Sequence, residues 1–310
     1  MSLDALAEMP AGLQGSRFFR VYYFPTYAVL LFLLVLVWAG APGKRISFKA
    51  AWETAANLEI AEALLIIVVV VLLALVLHPF QSALVGLLEG GWPAALGSGL
   101  FRRLQLARRR KLTTTAAAPP ATADDQAVQA AGRAAGRLRR RYPTREHLVR
   151  PTALGNALAA MQDNAGRGYG LDAVVAWPRL YAVLGETVRD VVDDRRDTMD
   201  STARLAVSTG IAAFATFALL SRATHWWWLL GFVPLAVSVL SYRAAVHAAV
   251  AYGESVELAF DLHRFDLLTA LHLAAPADRT AELKINQELC DLWRQGVPPT
   301  AGYVTGSRNG

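Results

Sequence analysis

The sequence predicts an all-α integral membrane protein with four transmembrane helices, arranged as two hairpins, and with helical cytoplasmic extensions of the third and fourth helices. Two observations carry this prediction. The chain of 310 residues is 54% hydrophobic, and its mean hydropathy of +0.31 is too high for an ordinary soluble domain. Its apolar residues are concentrated in four runs, each close to the roughly 20 residues that an α-helix needs to cross a bilayer.

The four apolar runs set the boundaries of the predicted spans. The first hairpin covers residues 21–77, with spans at 21–41 and 60–77 that are nearly uniform in Leu, Val and Ile. The third span is predicted at 205–220 and the fourth at 226–242, and both are shorter and richer in small residues. Small residues allow close approach of membrane helices, so the last two spans are expected to pack against each other.

The distribution of basic residues predicts the orientation. Residues 101–150 hold 13 of the 31 Lys and Arg residues of the chain but only three acidic residues. Because Lys and Arg are enriched in cytoplasmic loops, segment 78–204 and both termini are predicted to be cytoplasmic. The expected location is the cell (plasma) membrane, which for a bacterial protein is the inner membrane. The outer loop 42–58, with three basic residues, is a mild exception.

Changes of composition divide the remaining chain into segments. They are an N-terminal cytoplasmic segment 1–20, an interfacial amphipathic basic segment 78–111, a flexible linker 112–135, a cytoplasmic helical region 136–177, a long helical hairpin 178–273 and a C-terminal helix and tail 274–310. The hairpin is predicted to start with Pro178 in its first turn and to run unbroken into the third span. Apolar stripes on both projecting arms indicate that each packs against a partner.

The basic end of segment 78–111 is predicted to contact an anionic inner leaflet. The residues expected to make this contact are Arg102, Arg103, Arg108, Arg109, Arg110 and Lys111. Nucleic acid is a less favoured partner, because no aromatic stacking platform is interleaved with these arginines.

Acidic side chains at helical spacing are the most conspicuous polar features. They are Asp190, Asp193 and Asp197 before the third span, Glu254, Glu257 and Asp261 after the fourth, and Glu59 and Glu62 at the outer end of the second. Facing carboxylates could attract cations or line an ion pathway. The alternative, favoured here, is a solvated face neutralised by neighbouring arginines.

Antiparallel pairing of the long hairpin predicts specific partners. With a turn near Ala223, Asp200 falls opposite the helix turn that carries Arg243 and His247. The same register brings Arg189 and Arg195 near Glu257 and Glu254, so that both acidic faces would be neutralised within one chain.

No catalytic or cofactor-binding pattern is present in the sequence. The chain has one cysteine, Cys290, and its six histidines form no close metal-ligand pair. It has no phosphate-binding glycine loop, no nucleophile elbow and no dinucleotide fingerprint. The sequence therefore predicts no enzyme, no metal and no cofactor.

Two stretches resemble a family of bacterial integral membrane proteins without an assigned activity. They are Leu154-Gly-Asn156 through Tyr169-Gly-Leu-Asp-Ala-Val-Val-Ala-Trp-Pro-Arg-Leu180, and Glu257-Leu-Ala-Phe-Asp-Leu-His-Arg-Phe-Asp-Leu-Leu268. The Ala/Arg/Val-rich composition is similar to that of actinobacterial proteins. A weaker, topological likeness is to bacterial bestrophin-type channels. Neither likeness implies functional residues for this chain.

Two functions are compatible with these features. The first is a membrane-anchored interaction or signalling component, such as a scaffold, with a protein partner in the membrane or cytoplasm. The second is a homo-oligomeric ion channel or pore. The first is favoured because the first two spans have no polar stripe that could line an aqueous path.

Overall fold

The structure is a computed structural model that describes residues 24–92, 97–117, 124–300 and 302. The described part of the chain is all-helical, with 80% helix and no β-strand. The all-α prediction is therefore confirmed.

Ten α-helices make up the described part. They are α1 Phe24–Trp38, α2 Phe48–Ala56, α3 Ile60–Leu88, α4 Ser98–Ala116, α5 Asp125–Arg141, α6 Ala153–Asn164, α7 Ala173–Val183, α8 Glu186–Leu220, α9 Phe232–Ala270 and α10 Arg279–Gln295. Short 3₁₀ turns lie at Glu146–Leu148, Arg167–Tyr169 and His225–Gly231.

The chain divides into two compact units. Unit 1 consists of Met1–Leu87 and Asp197–Ala245, and unit 2 consists of Leu88–Arg196 and Val246–Gly310. Unit 1 contains all four predicted spans, and unit 2 contains helices α4 to α7 and α10.

Two helices of the described chain are long and apolar enough to cross a membrane. They occupy Glu186–Leu220 and Trp226–Ala270. Helices α2 and α3 would supply a third span only as a pair, and they are bent by 114° at their junction. At about 1.5 Å per residue, α8 and α9 are about 50 and 60 Å long. Because a bilayer core is about 30 Å thick, each of these helices is longer than a span requires.

Unit 1 is held together by small contacts between its loops and helices. Leu36 and Leu220, each 1% exposed, share one apolar cluster. Thr224 donates from its backbone N–H and its hydroxyl to the carbonyl of Lys44, at 2.9 and 2.7 Å. Ser238 on α9 donates to the carbonyl of Ala206 on α8 at 2.7 Å. Ala206, one of the small residues of the predicted third span, thus lies where the two helices meet.

Unit 2 is built around α6, whose residues 154–160 are all buried. A Cβ at Gly155 would lie 2.2 Å from the carbonyl oxygen of Glu89, so only glycine permits this close approach. The buried amide of Asn156 donates to the carbonyls of Arg150 and Thr152 and accepts from the N–H of Arg150. These bonds fix the loop that precedes the helix.

The prediction of an unbroken helix from Pro178 into the third span is corrected. Helix α7 contains Pro178 in its interior and ends at Val183, and α8 begins only at Glu186. Leu184 is extended, with φ −62° and ψ 138°. The guanidinium of Arg189 donates to the carbonyl of Leu184 and to two others at the end of α7, which stabilises the break.

The predicted boundaries of the interfacial segment and the linker are also corrected. Helix α3 does not end with the apolar run at residue 77 but continues to Leu88. Much of linker 112–135 is helical, because α4 extends to Ala116 and α5 begins at Asp125. The Asp124 carboxylate caps α5 by accepting from the N–H of Ala127 at 2.9 Å. Residues 118–123 of that linker, and the N-terminal segment 1–20, lie outside the described residues.

Candidate functional site

The acidic face of α9 is neutralised within unit 2. The guanidinium of Arg140 lies 3.0 Å from the Glu254 carboxylate, and that of Arg139 lies 2.9 Å from Glu257. Both arginines belong to the last turn of α5. The predicted neutralisation of these acids is therefore achieved with other partners than Arg189 and Arg195. The pairing register of the hairpin could not predict Arg139 and Arg140 as partners, because α5 lies more than 110 residues away in sequence.

Asp261, the third acid on this face, accepts a hydrogen bond from the phenol of Tyr169 at 2.8 Å. This bond is the main cause that raises the pKa of Tyr169 above its ordinary value of 10.0, followed by burial. The guanidinium of Arg264 lies 4.1 Å from the centre of the Tyr169 ring and binds Glu282 at 2.8 Å. Asp261 is thus part of a compact polar network that joins α9 to α10.

The acids of α8 have separate environments. Asp193 accepts from the phenol of Tyr181 at 2.8 Å, and burial, with this bond second, raises the pKa of Tyr181. Asp190 is exposed and Asp197 is half-buried. Asp200 is half-buried while Arg243 and His247 are exposed. The pairing of Asp200 with either base stays a prediction.

Glu59 and Glu62 lie at the N-terminal end of α3 and are both exposed. The carboxylate of Glu62 accepts from the backbone N–H of Glu59 at 3.2 Å. A carboxylate that accepts a hydrogen bond from the backbone N–H three residues earlier in the chain stabilises the N-terminus of a helix. This contact gives Glu62 a local structural role where an ion site was considered.

Three of the six basic residues predicted to contact lipid have protein partners in unit 2. Arg102 donates to the carbonyls of Val149 and Glu146 at 2.9 and 3.0 Å. Arg109, whose side chain is only 14% exposed, binds the Glu146 carboxylate at 3.0 Å. Arg110 lies 3.8 Å from the same carboxylate and its side chain is 70% exposed. These contacts hold α4 against segment 144–149. The exposed members of the set are Arg103, Arg108, Arg110 and Lys111. The contact of the six basic residues with lipid stays a prediction.

Unit 2 also contains a cavity of about 640 Å³ that the sequence analysis did not predict. Four arginines from separate parts of the unit line it: Arg145, Arg150, Arg167 and Arg294. Apolar side chains also line it, among them Leu171 and Val174. A cavity lined by both arginines and apolar groups is suited to a ligand that is both charged and partly apolar.

The arginines of this cavity differ in their counter-charges. Arg167 is paired with Asp163, and Arg294 is paired with Asp172 and lies 3.8 Å from Asp291. By contrast, Arg150 donates only to neutral acceptors, the carbonyl of Glu89 and the amide of Gln162, at 3.2 and 3.0 Å.

The Arg145 guanidinium makes no hydrogen bond or ion pair with any residue that the structure describes. Two positive charges at the cavity therefore have no carboxylate partner within the described chain.

Cys290 lies in the wall of the same cavity and is 4% exposed. The backbone N–H of Asp172 donates to its sulfur at 3.2 Å. Burial is the main cause that raises the pKa of this thiol above 9.0. The thiol is thus protonated at neutral pH and reacts slowly as a nucleophile.

Comparison with known protein families, with curated proteins and with solved structures finds no match for this chain. The search for groups of three or more His, Cys, Asp or Glu that could hold a metal ion finds none within the described ranges.

Proposed function

We propose that this protein is a membrane-anchored interaction component, in which unit 1 holds the chain in the plasma membrane and unit 2 binds a protein partner. The observation that carries the proposal is an exposed apolar stripe on α9. Leu258, Leu262 and Phe265 are 46%, 58% and 41% exposed. Their spacing of four and three residues puts them on one face of the helix.

This stripe is expected to meet protein rather than lipid. Charged residues surround it in sequence, including Glu257, Asp261 and Arg264, and charges at the centre of a bilayer are costly. Farther along the same helix, Leu267 and Leu268 are each 2% exposed. Contiguous exposed apolar side chains on a helix outside lipid mark a contact surface for another helix.

The partner that we propose for the stripe is a second copy of this chain. The stripe is present on every copy of the chain, and a two-fold axis brings the same apolar patch of two copies face to face. Homo-oligomerisation through α9 is therefore the simplest way to cover the stripe.

We further propose the four-span topology with both termini in the cytoplasm. The support for the second span is the exposure of large apolar side chains along α3, such as Leu65 at 64% and Val76 at 61%, which suits contact with lipid. The support for the outer boundary is the exposure of Trp52 and Trp226, at 77% and 75%, because tryptophan favours membrane interfaces.

The alternative function, a homo-oligomeric channel, has less support. A cation pathway would use unpaired carboxylates, whereas Glu254 and Glu257 bind arginines and Asp193 and Asp261 bind tyrosines. The buried hydroxyls of Thr209 and Thr216 in unit 1 donate to carbonyls of their own helix, so they are not directed towards a water-filled path.

Site-specific photo-crosslinking in membranes tests the interaction function. A photoreactive residue in place of Leu262 should give a product of twice the chain mass. The matched control is Val128 on α5, which is 50% exposed but lies on a polar helix and should give none. The double change Leu258→Gln and Leu262→Gln should abolish crosslinking from a photoreactive residue at Phe265.

The same preparation separates the two functions. Purified protein in vesicles should not release trapped ions faster than empty vesicles do. No crosslink from Leu262 or Phe265, together with ion flux that requires the protein, would overturn the interaction function in favour of the channel.

A further inference from the structure

We propose that the cavity of unit 2 is a binding site for a small organic anion, whose carboxylate or phosphate group is held by Arg145 and Arg150. The proposal goes beyond the interaction function and is independent of it, since neither arginine belongs to the stripe on α9.

The size and lining of the cavity suit a small molecule. Its volume of about 640 Å³ falls within the range of about 300–1,000 Å³ typical of ligand pockets. Buried apolar atoms are available for the body of the ligand at Ala159 and Leu171, which are 4% and 3% exposed. A ligand with an apolar body and one charged end would therefore find a surface for each part.

The charge of the cavity lining selects for an anion. Arg145 and Arg150 lie in one short segment, and neither has a carboxylate partner among the described residues. A guanidinium presents its N–H groups as a planar fork that matches the oxygens of a carboxylate or phosphate. The third and fourth arginines bind the three aspartates of the lining. The four arginines and three aspartates leave the cavity with one net positive charge.

The segment that carries the two arginines is held in place before any ligand arrives. The backbone of Arg150 is fixed by Asn156 at 2.8 and 2.9 Å, and its guanidinium by Glu89 and Gln162. Glu146, between the two arginines, is bound by Arg109 at 3.0 Å. Binding to such a preorganised site costs little conformational entropy. Arg145 supplies the free guanidinium that would close on the anion.

Cys290 provides a direct reporter of occupancy, because it is the sole cysteine of the chain and lies in the cavity wall. The full chain in nanodiscs of neutral lipid would be treated with N-ethylmaleimide, and the modified fraction followed by mass spectrometry. Benzoate and phenyl phosphate are the probes, since they combine the two oxyanions with one apolar body. Benzamide is the neutral control.

At least one of the two anionic probes should slow the modification about tenfold at about ten times its Kd, because only unoccupied protein reacts. Benzamide should have no effect. Arg145→Gln should remove the protection without unfolding unit 2, since this side chain has no described partner. The matched control Arg133→Gln, at an exposed arginine of α5 outside the cavity, should retain it.

Nanodiscs of neutral and of anionic lipid distinguish a lipid headgroup from a soluble anion as the ligand. If anionic lipid slows the modification of Cys290 in the absence of probe, and Arg145→Gln removes that effect, the site takes a lipid headgroup. If neutral and anionic nanodiscs behave alike, the ligand is a soluble anion. The proposal is overturned if neither probe nor anionic lipid protects the wild-type chain, or if Arg145→Gln is protected as well as wild type.

Discussion

Unit 1 exposes large apolar side chains along α3, whereas unit 2 has an enclosed apolar core besides its exposed stripe on α9. Leu65 and Val76 of α3 are more than 60% exposed, while Leu154, Leu180 and Phe260 of unit 2 are at most 1% exposed. Apolar exposure on this scale is stable only where the solvent is itself apolar. The difference supports the proposal that unit 1 completes its packing with lipid, whereas unit 2 has an apolar core of its own.

The polar groups of the two units differ in the same sense. In unit 1 the hydroxyls of Thr209 and Thr216 bond to carbonyls of their own helix, as is common in membrane helices. In unit 2 charged pairs join distant segments, such as Arg140 and Glu254, 114 residues apart. Polar contacts between residues distant in sequence specify how the helices of unit 2 pack. Most side-chain hydrogen bonds of unit 1 instead satisfy backbone carbonyls within the same helix.

The largest expected effect is an all-or-none difference in labelling from outside the cell. In a Cys290→Ser background, a cysteine at Ser47 of unit 1 should react with a membrane-impermeant maleimide. A cysteine at Thr114 of unit 2 should react only after the membrane is opened. Both residues are exposed, so burial does not account for the difference. The reverse pattern would invert the proposed orientation.

The next largest expected effect is the loss of unfolding free energy when a core side chain of unit 2 is truncated. Phe260 is 0% exposed, and its ring lies 6.1 Å from that of Trp177. Phe260→Ala should lower the free energy of unfolding of unit 2 by about 3–5 kcal/mol. Hydrogen exchange of unit 2 peptides, measured on the full chain in nanodiscs, gives this value. The matched control is Phe265→Ala on the same helix, where 41% exposure predicts a loss below about 1 kcal/mol.

Replacing glycines by alanine compares a tightly packed position of unit 2 with an open one. At Gly155 a Cβ would lie 2.2 Å from the oxygen and 2.8 Å from the carbon of the Glu89 carbonyl, which is backbone and cannot rotate away. Gly155→Ala should destabilise unit 2 by about 1–3 kcal/mol. At Gly132 on α5 a Cβ meets nothing within 4 Å, so Gly132→Ala should be neutral or stabilise by up to about 1 kcal/mol. Equal effects at both positions would contradict the close approach of α6 to residue 89.

Local features of the fold could be predicted from the sequence, because they depend on neighbouring residues. The helical class follows from composition and periodicity, and the start of α3 at Ile60 follows from its apolar run. The break at Leu184 could not be predicted, because Pro178, which suits a first turn, lies inside α7. The stabilisation of that break by Arg189 is visible only in three dimensions.

The candidate cavity depends still more on tertiary packing. Arg145 and Arg150 are close in sequence, but Arg294 and Cys290 reach the same wall from α10. A sequence pattern alone does not show that residues about 140 positions apart share a cavity. The most useful signal was local: two arginines that flank a single acid, Glu146, in a short loop.

An alkaline titration separates the polar network around Asp261 from ordinary surface charge. The pKa of Tyr169 is raised above 10.0, chiefly by its hydrogen bond to Asp261. Below pH 10 the phenol is neutral in both states and its contribution to stability is fully present. As pH rises further, the unfolded chain loses the proton first. Stability is therefore lost until the pH passes the raised pKa of the folded state.

Asp261→Asn should move the pKa of Tyr169 back towards 10.0 and reduce this alkaline loss of stability in unit 2. Phenolate absorbance of the full chain gives the pKa, and hydrogen exchange gives the stability. Asp266→Asn on the same helix, whose carboxylate binds His263 at 2.7 Å, should leave the pKa of Tyr169 unchanged. A Tyr169 pKa that does not respond to Asp261→Asn would contradict the hydrogen bond.

The smallest expected effect concerns the ion pair between Arg140 and Glu254, whose side chains are 52% and 50% exposed at a separation of 3.0 Å. Exposed pairs of this kind contribute about 0.2–1 kcal/mol and weaken with salt. A double-mutant cycle with Arg140→Gln and Glu254→Gln should return a coupling in that range. A second cycle on Arg264 and Glu282, which are 20% and 11% exposed at 2.8 Å, should return a larger and less salt-sensitive coupling.

Glu254 lies on α9, four residues before the exposed stripe. If a second copy of the chain covers that helix, the Arg140–Glu254 coupling should become stronger and less salt-sensitive in the oligomer than in the Leu258→Gln, Leu262→Gln variant. Identical coupling in both would place the partner elsewhere on unit 2.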